Sequence, residues 1–198
     1  MPSTRNLAIL IFADVEVLDF SGPFEVFSVA NRFVQPAAFN LFTVAGQPGP
    51  VLTRGGLSVN PDHQLGDCPR ADILLVPGGQ GTRTEMHNPL LLEWIKSTAA
   101  TAELVLSVCT GSLILAKAGL LEGREATTHH GAIDLLQQLA PGATVRSDRR
   151  FVDNGQIICS AGITAGIDMC LHVVSRLLGQ EVARQTARQM EYSWTAAD

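Results

Sequence analysis

Three apolar runs constrain this chain more than any other feature: Leu7–Phe12, Ala71–Val76 and Glu103–Val108. Each is strand-sized and lacks regular polar alternation, as expected of a strand covered on both faces. Helical patterns fall between and after them. One opens near Asp19, with Pro23 in its first turn; others cover Asn88–Ala100, Thr110–Leu121, Ala132–Leu139 and Glu181–Met190. Ile163, Ile167, Cys170, Leu171, Val174, Leu177 and Leu178 fall at helical spacing on one buried face. Phe39–Val44 and Glu125–Thr128 read as further strands, and the segment up to Val59 as a short hairpin around Gly55-Gly56. Arg150–Asp153 and Gln156–Ser160 flank Asn154-Gly155, a two-residue hairpin signal. Strands alternating with helices through short loops predict an α/β fold, a mostly parallel sheet with helices on both faces. No repeat or linker divides residues 1–198, so one domain is expected.

The charge pattern narrows the functional classes. Of 198 residues, 46% are hydrophobic and 17% charged, enough to build a packed interior. The net charge is −5 and no stripe of Lys or Arg exists, so a nucleic-acid partner is not expected. No apolar run is long enough to span a membrane. Met1–Asn6 is short and polar, without a signal-peptide pattern. The four cysteines, Cys68, Cys109, Cys159 and Cys170, form no CxxC pair and read as reduced thiols of a cytoplasmic protein.

In a sheet of this kind the site lies beyond the carboxyl ends of the strands. Only Cys109-Thr-Gly separates the strand Leu104–Val108 from a buried helix, a tight elbow that pushes one side chain into a site. Gly111 lets backbone approach closely there, and the helix start is expected to stabilise a thiolate at Cys109. Cys68, Cys159 and Cys170 read as core thiols. Pro77-Gly78-Gly79 ends the preceding strand and offers backbone N–H groups for an oxyanion.

Asp14 and Glu16 read as solvated. Asp19, between Leu18 and Phe20, sits where burial raises a carboxyl pKa, or where it caps a helix. Beside Cys109 it would titrate as half of a coupled pair, expected as a protonated Asp19 against a thiolate. Adjacent His129 and His130 are candidate bases, of which one at most faces the site. His63, His87 and His172 read as surface or helix residues. No ligand spacing suggests zinc. Gly78-Gly79-Gln-Gly81-Thr and Gly162-Ile-Thr-Ala-Gly166 lack the lysine of a phosphate loop and the dinucleotide spacing, so no cofactor is expected.

Asp19-Phe-Ser-Gly-Pro-Phe-Glu, Val76-Pro-Gly-Gly79, Ser107-Val-Cys-Thr-Gly-Ser112, Ala118-Gly-Leu-Leu-Glu-Gly123, Ala126-Thr-Thr-His129 and Gly162-Ile-Thr-Ala-Gly-Ile-Asp168 together resemble the ThiJ/PfpI superfamily, related to class I glutamine amidotransferases. The resemblance runs from Leu7 to about Tyr192. Within it, the helix-entry Asp19 and the Cys-Thr-Gly elbow are most similar to isonitrile hydratases and to the sensor half of AraC-type regulators. The resemblance implies a flavodoxin-like three-layer α/β/α sandwich, a homodimer, and a small-molecule substrate handled without a cofactor. It implies Cys109 as nucleophile, Asp19 as proton carrier, Thr110 as positioning group, and the backbones of Gly79 and Thr110 facing developing charge. Gly78, His129 and Ile163 would line the site, with Phe20 and Phe24 in its walls. The AraC-type regulators continue into a helix-turn-helix module, for which the residues up to Asp198 leave no room. A stand-alone small-molecule or redox sensor, or amidase, protease or glyoxalase chemistry, are the alternatives it carries.

Overall fold

The computed structural model describes residues 4–195. Its strands are β1 (Arg5–Ile11), β2 (Phe39–Ala45), β3 (Val51–Leu52), β4 (Ser58–Val59), β5 (His63–Gln64), β6 (Ile73–Val76), β7 (Leu104–Ser107), β8 (Glu125–Ala126), β9 (Thr144–Val145), β10 (Phe151–Asp153) and β11 (Ile157–Ser160). Its helices are α1 (Val17–Ala30), α2 (Thr82–Glu85), α3 (Pro89–Ala99), α4 (Gly111–Lys117), α5 (Ile133–Leu139), α6 (Ala165–Leu178) and α7 (Gln180–Gln189).

Seven strands form the main sheet in the order β10-β11-β7-β6-β1-β2-β5. All neighbours are parallel except β10 against β11. α1, α6 and α7 pack together, as do α2, α3, α4 and α5, which makes the three-layer flavodoxin-like sandwich. The apolar runs are where doubly covered strands belong: Leu7–Ile11, Ile73–Val76 and Val105–Leu106 have no exposed surface. Each such Leu or Ile contributes about 1.5–3 kcal/mol by burial. The chain order reverses between β1 and β6, and the loops leaving these strands and β7 meet at the carboxyl edge.

The differences from the sequence reading are local. The helix expected over Thr110–Leu121 is regular only through Lys117. Glu125–Thr128 contributes no strand to the main sheet; β8 ends at Ala126 and pairs with β9. The β10–β11 hairpin turns one residue later than Asn154-Gly155, because Asn154 N donates to Ile157 O (3.0 Å) and leaves Gly155-Gln156 at the tip. Gly155 takes φ +84° there, a conformation favoured for glycine. β5 and α2 carry no sequence periodicity; pairing with β2 and the turn after Gly79 create them.

Candidate active site

Cys109 stands on the elbow between β7 and α4 with φ +56°, a left-handed conformation that costs a side-chain-bearing residue about 1–3 kcal/mol. Hydrogen bonds hold it there. Its N–H is shared between the carbonyls of Ser160 and Ala161 (3.2 Å each), and its own carbonyl accepts from Thr128 Oγ1 (2.9 Å) and Ser112 Oγ (3.2 Å). Thr128 thus supports the nucleophile, a role its place in a presumed strand did not signal. Gly111 is obligatory, since a Cβ there would strike the Val76 carbonyl.

Asp19 reaches the same point from α1. The loop before α1 lies along the one after β6: Val15 bridges Gly79, and Glu16 N donates to Gly78 O (3.0 Å). A Cβ on Gly78 would come within 2.6 Å of Thr110 N, 2.7 Å of Asp19 Oδ2 and 2.8 Å of Cys109 Cβ. The bare backbone of Gly78 is therefore what lets these three groups converge. Asp19 is fully buried and Oδ2 accepts from Gly78 N (3.0 Å), so it is not a helix cap. Among the described residues Oδ1 has no hydrogen-bond partner. The thiol is near enough to act on the carboxyl's titration, although the contact falls short of hydrogen-bond geometry.

Burial pushes Asp19 up to about 7, against the opposing effects of the nearby Cys109 thiol and the Gly78 N–H. Burial, then the charge of Asp19, pushes Cys109 up to about 12. Burial is the first cause of both shifts, so at neutral pH the pair carries at most one negative charge and titrates as one coupled system.

The backbones of Thr110 and Ile163 oppose the rise in the Cys109 pKa, and neither N–H has a carbonyl partner among the described residues. Ile163 is itself left-handed, φ +53°, which turns its backbone toward the sulfur. Gly79 was expected to aim its N–H at developing charge; instead that N–H donates to Thr110 Oγ1 (3.0 Å). The Thr110 hydroxyl, also 3.2 Å from Thr82 Oγ1, anchors the turn after β6.

A cavity of about 380 Å³ opens over Cys109, lined by Glu16, Arg54, Gly79, Gln80, Arg83, Thr110, His129, Gly131 and Ile163. Asp19 and Gly78 lie behind Cys109 rather than on this wall. Phe20 is core and Phe24 is outside the wall, so the expected aromatic lining is absent from this cavity. Glu16, read as solvated, lines it, and Arg54 and Arg83 had no sequence signal at all. His129 Nδ1 accepts from Gly131 N (3.1 Å), which in the neutral ring leaves the proton on Nε2. Burial and the neighbouring His130 and Arg83 charges lower its pKa. No hydrogen bond joins His129 to Cys109, and the histidine lines the cavity with a ring donor. Among the described residues, no group of three or more His, Cys, Asp or Glu is placed to hold a metal, and no helix is long and apolar enough to cross a membrane.

A flavodoxin-like sandwich with a strained, buried cysteine elbow at its carboxyl edge defines a class of proteins with nucleophile-cysteine character. This chain belongs to the DJ-1/PfpI family, whose model matches residues 5–176. It is similar to isonitrile hydratase of Pseudomonas putida, 39% identical over 95% of this chain and 78% of the relative. It is also similar to the HTH-type transcriptional regulator CdhR of Pseudomonas aeruginosa, 34% identical over 94% of this chain but only 54% of the regulator. The crystal structure of a ThiJ/PfpI family protein from Pseudomonas syringae superimposes with a TM-score of 0.88 at 32% identity, covering 99% of this chain and 78% of that one.

Proposed function

We propose that this protein hydrates isonitriles to N-substituted formamides. The observation that carries the reading is the Cys109–Asp19 pair: a thiol and a buried carboxyl group brought together at the bare backbone of Gly78, with no imidazole hydrogen-bonded to the sulfur among the described residues. A Cys–His pair would suit acyl transfer. A thiol and a carboxyl group that share one proton suit addition to a carbon that accepts both sulfur and hydrogen.

In the first step sulfur bonds to the terminal isonitrile carbon while Asp19 takes the thiol proton and returns it to that carbon, giving a thioimidate. Water then adds to the same carbon, its proton going to nitrogen. Collapse of the adduct breaks the C–S bond, re-forms the thiol and releases the formamide. The sum is R–N≡C plus water to R–NH–CHO, with no electron transfer. The N–H groups of Thr110 and Ile163 stabilise charge on sulfur, and Thr110 Oγ1 holds the Gly79 turn in place. Similarity to the Pseudomonas putida isonitrile hydratase supports the same reading.

Purified protein incubated with phenyl or tert-butyl isonitrile is expected to form the corresponding formamide, measured by chromatography. Cys109→Ala is expected to form none; product at the unmodified rate from that variant overturns the mechanism.

A further inference from the structure

The cavity wall holds a cation without a counter-ion among the described residues. Arg54 faces Glu16 at 3.8 Å, so these two charges offset one another. Arg83, half buried on α2, donates through Nη1 to Thr82 Oγ1 (3.0 Å) and the Gly79 carbonyl (3.3 Å). Among the described residues no carboxylate lies within ion-pair distance of it. Its Nε and Nη2 make no hydrogen bond among the described residues. The two bonds it does make hold the guanidinium to the turn that borders the site, so the fork is pre-positioned on the wall of the cavity into which Cys109 opens.

His129 lines the same cavity, and Gly131 N donating to its Nδ1 leaves the neutral ring's proton on Nε2. The Arg83 charge, on the wall of that cavity, is near enough to act on His129. A planar guanidinium with free donors, partly removed from water, binds a carboxylate more strongly than a neutral group and does so in a fixed orientation.

We propose that the substrate attacked by Cys109 carries a carboxylate, and that Arg83 selects it, with His129 Nε2–H as a second donor. This rests on the hydration reading and names its substrate class, the small isocyano acids, converted to N-formyl acids with the carboxylate unchanged. A cavity of about 380 Å³ suits a molecule of that size.

The test compares isocyanoacetate with its neutral methyl ester. Wild-type kcat/KM is expected to favour the acid by roughly tenfold or more, the range of a charge-assisted hydrogen bond. The acid-to-ester ratio is expected to collapse toward one in Arg83→Met, through KM, and to be partly kept in Arg83→Lys. A second measurement separates this inference from the reaction itself: calorimetric binding of N-formylglycine and its methyl ester to wild type and Arg83→Met. Hydration with no preference for the acid overturns the carboxylate inference and leaves the hydratase reading standing. Arg83-dependent binding of the acid without turnover of either isonitrile supports the carboxylate site and overturns the hydratase reading. Neither turnover nor binding of the acid overturns both.

Discussion

Cys170 and Cys109 are both thiols withdrawn from water, yet their surroundings have nothing else in common. Cys170 lies in the middle of α6, wholly buried, and burial alone raises its pKa. Cys109 is 6% exposed, sits in a left-handed backbone conformation, and has around it a carboxyl group, a cavity and two backbone N–H groups that have no carbonyl partner among the described residues. Depth therefore does not distinguish a reactive thiol from a packing one. What distinguishes them is the convergence of polar groups on one sulfur, held there at a cost in backbone strain.

The sharpest way to break this contrast is to truncate both thiols. Cys109→Ala is expected to lower isonitrile turnover on the order of 10³-fold or more with the fold retained. Cys170→Ala is expected to keep turnover and lose about 1 kcal/mol of stability, a few degrees in Tm. Loss of turnover in the Cys170 variant at a temperature where it remains folded would remove the distinction.

The next effect belongs to Asp19. If the carboxylate takes the thiol proton, kcat/KM rises with pH through about 7, the pKa to which burial has pushed this group. Asp19→Asn is expected to lower kcat/KM about 10²-fold and to abolish that rise. Stability has the opposite pH dependence. A carboxyl whose folded pKa lies above its unfolded value makes the folded state bind the extra proton. Its contribution is complete below about pH 4, the unfolded value, and is lost as pH rises through about 7. Denaturant titrations of wild type across this window are expected to show a downward slope that Asp19→Asn lacks. An unchanged slope in the variant would place the titrating group elsewhere.

The smallest effect probes the backbone. Because Cys109 holds φ +56°, Cys109→Gly is expected to be about 1 kcal/mol more stable than Cys109→Ala, read from paired chemical melts. At Cys170, inside α6, the same pair of substitutions is expected to give the reverse order by a similar amount, since glycine is the poorer helix residue.

The sequence was legible where local chemistry leaves little choice. The β1, β6 and β7 runs are apolar on both sides, so they can only be doubly covered strands. Cys109-Thr-Gly111 allows a sharp turn because glycine alone tolerates the Val76 carbonyl beside it. Asp19 between apolar neighbours foretold a raised carboxyl pKa, which the structure shows. Other features depended on residues distant in the chain. Glu16, Arg54 and Arg83 are ordinary polar residues of loops and a four-residue helix until three loops close around Cys109. The Gly79 N–H looked like an oxyanion donor in isolation, and only the fold shows Thr110 Oγ1 already accepting it.

What the sequence determined by itself is the layered α/β sandwich, the cysteine elbow and the acid that accompanies it, because burial periodicity and glycine sterics act over a few residues. Tertiary structure alone decided that the acid and the thiol are buried as one coupled pair and which cations line the cavity beside them. Both depend on how much water is excluded and on which charges approach from other loops, and neither quantity is encoded in a local stretch of chain.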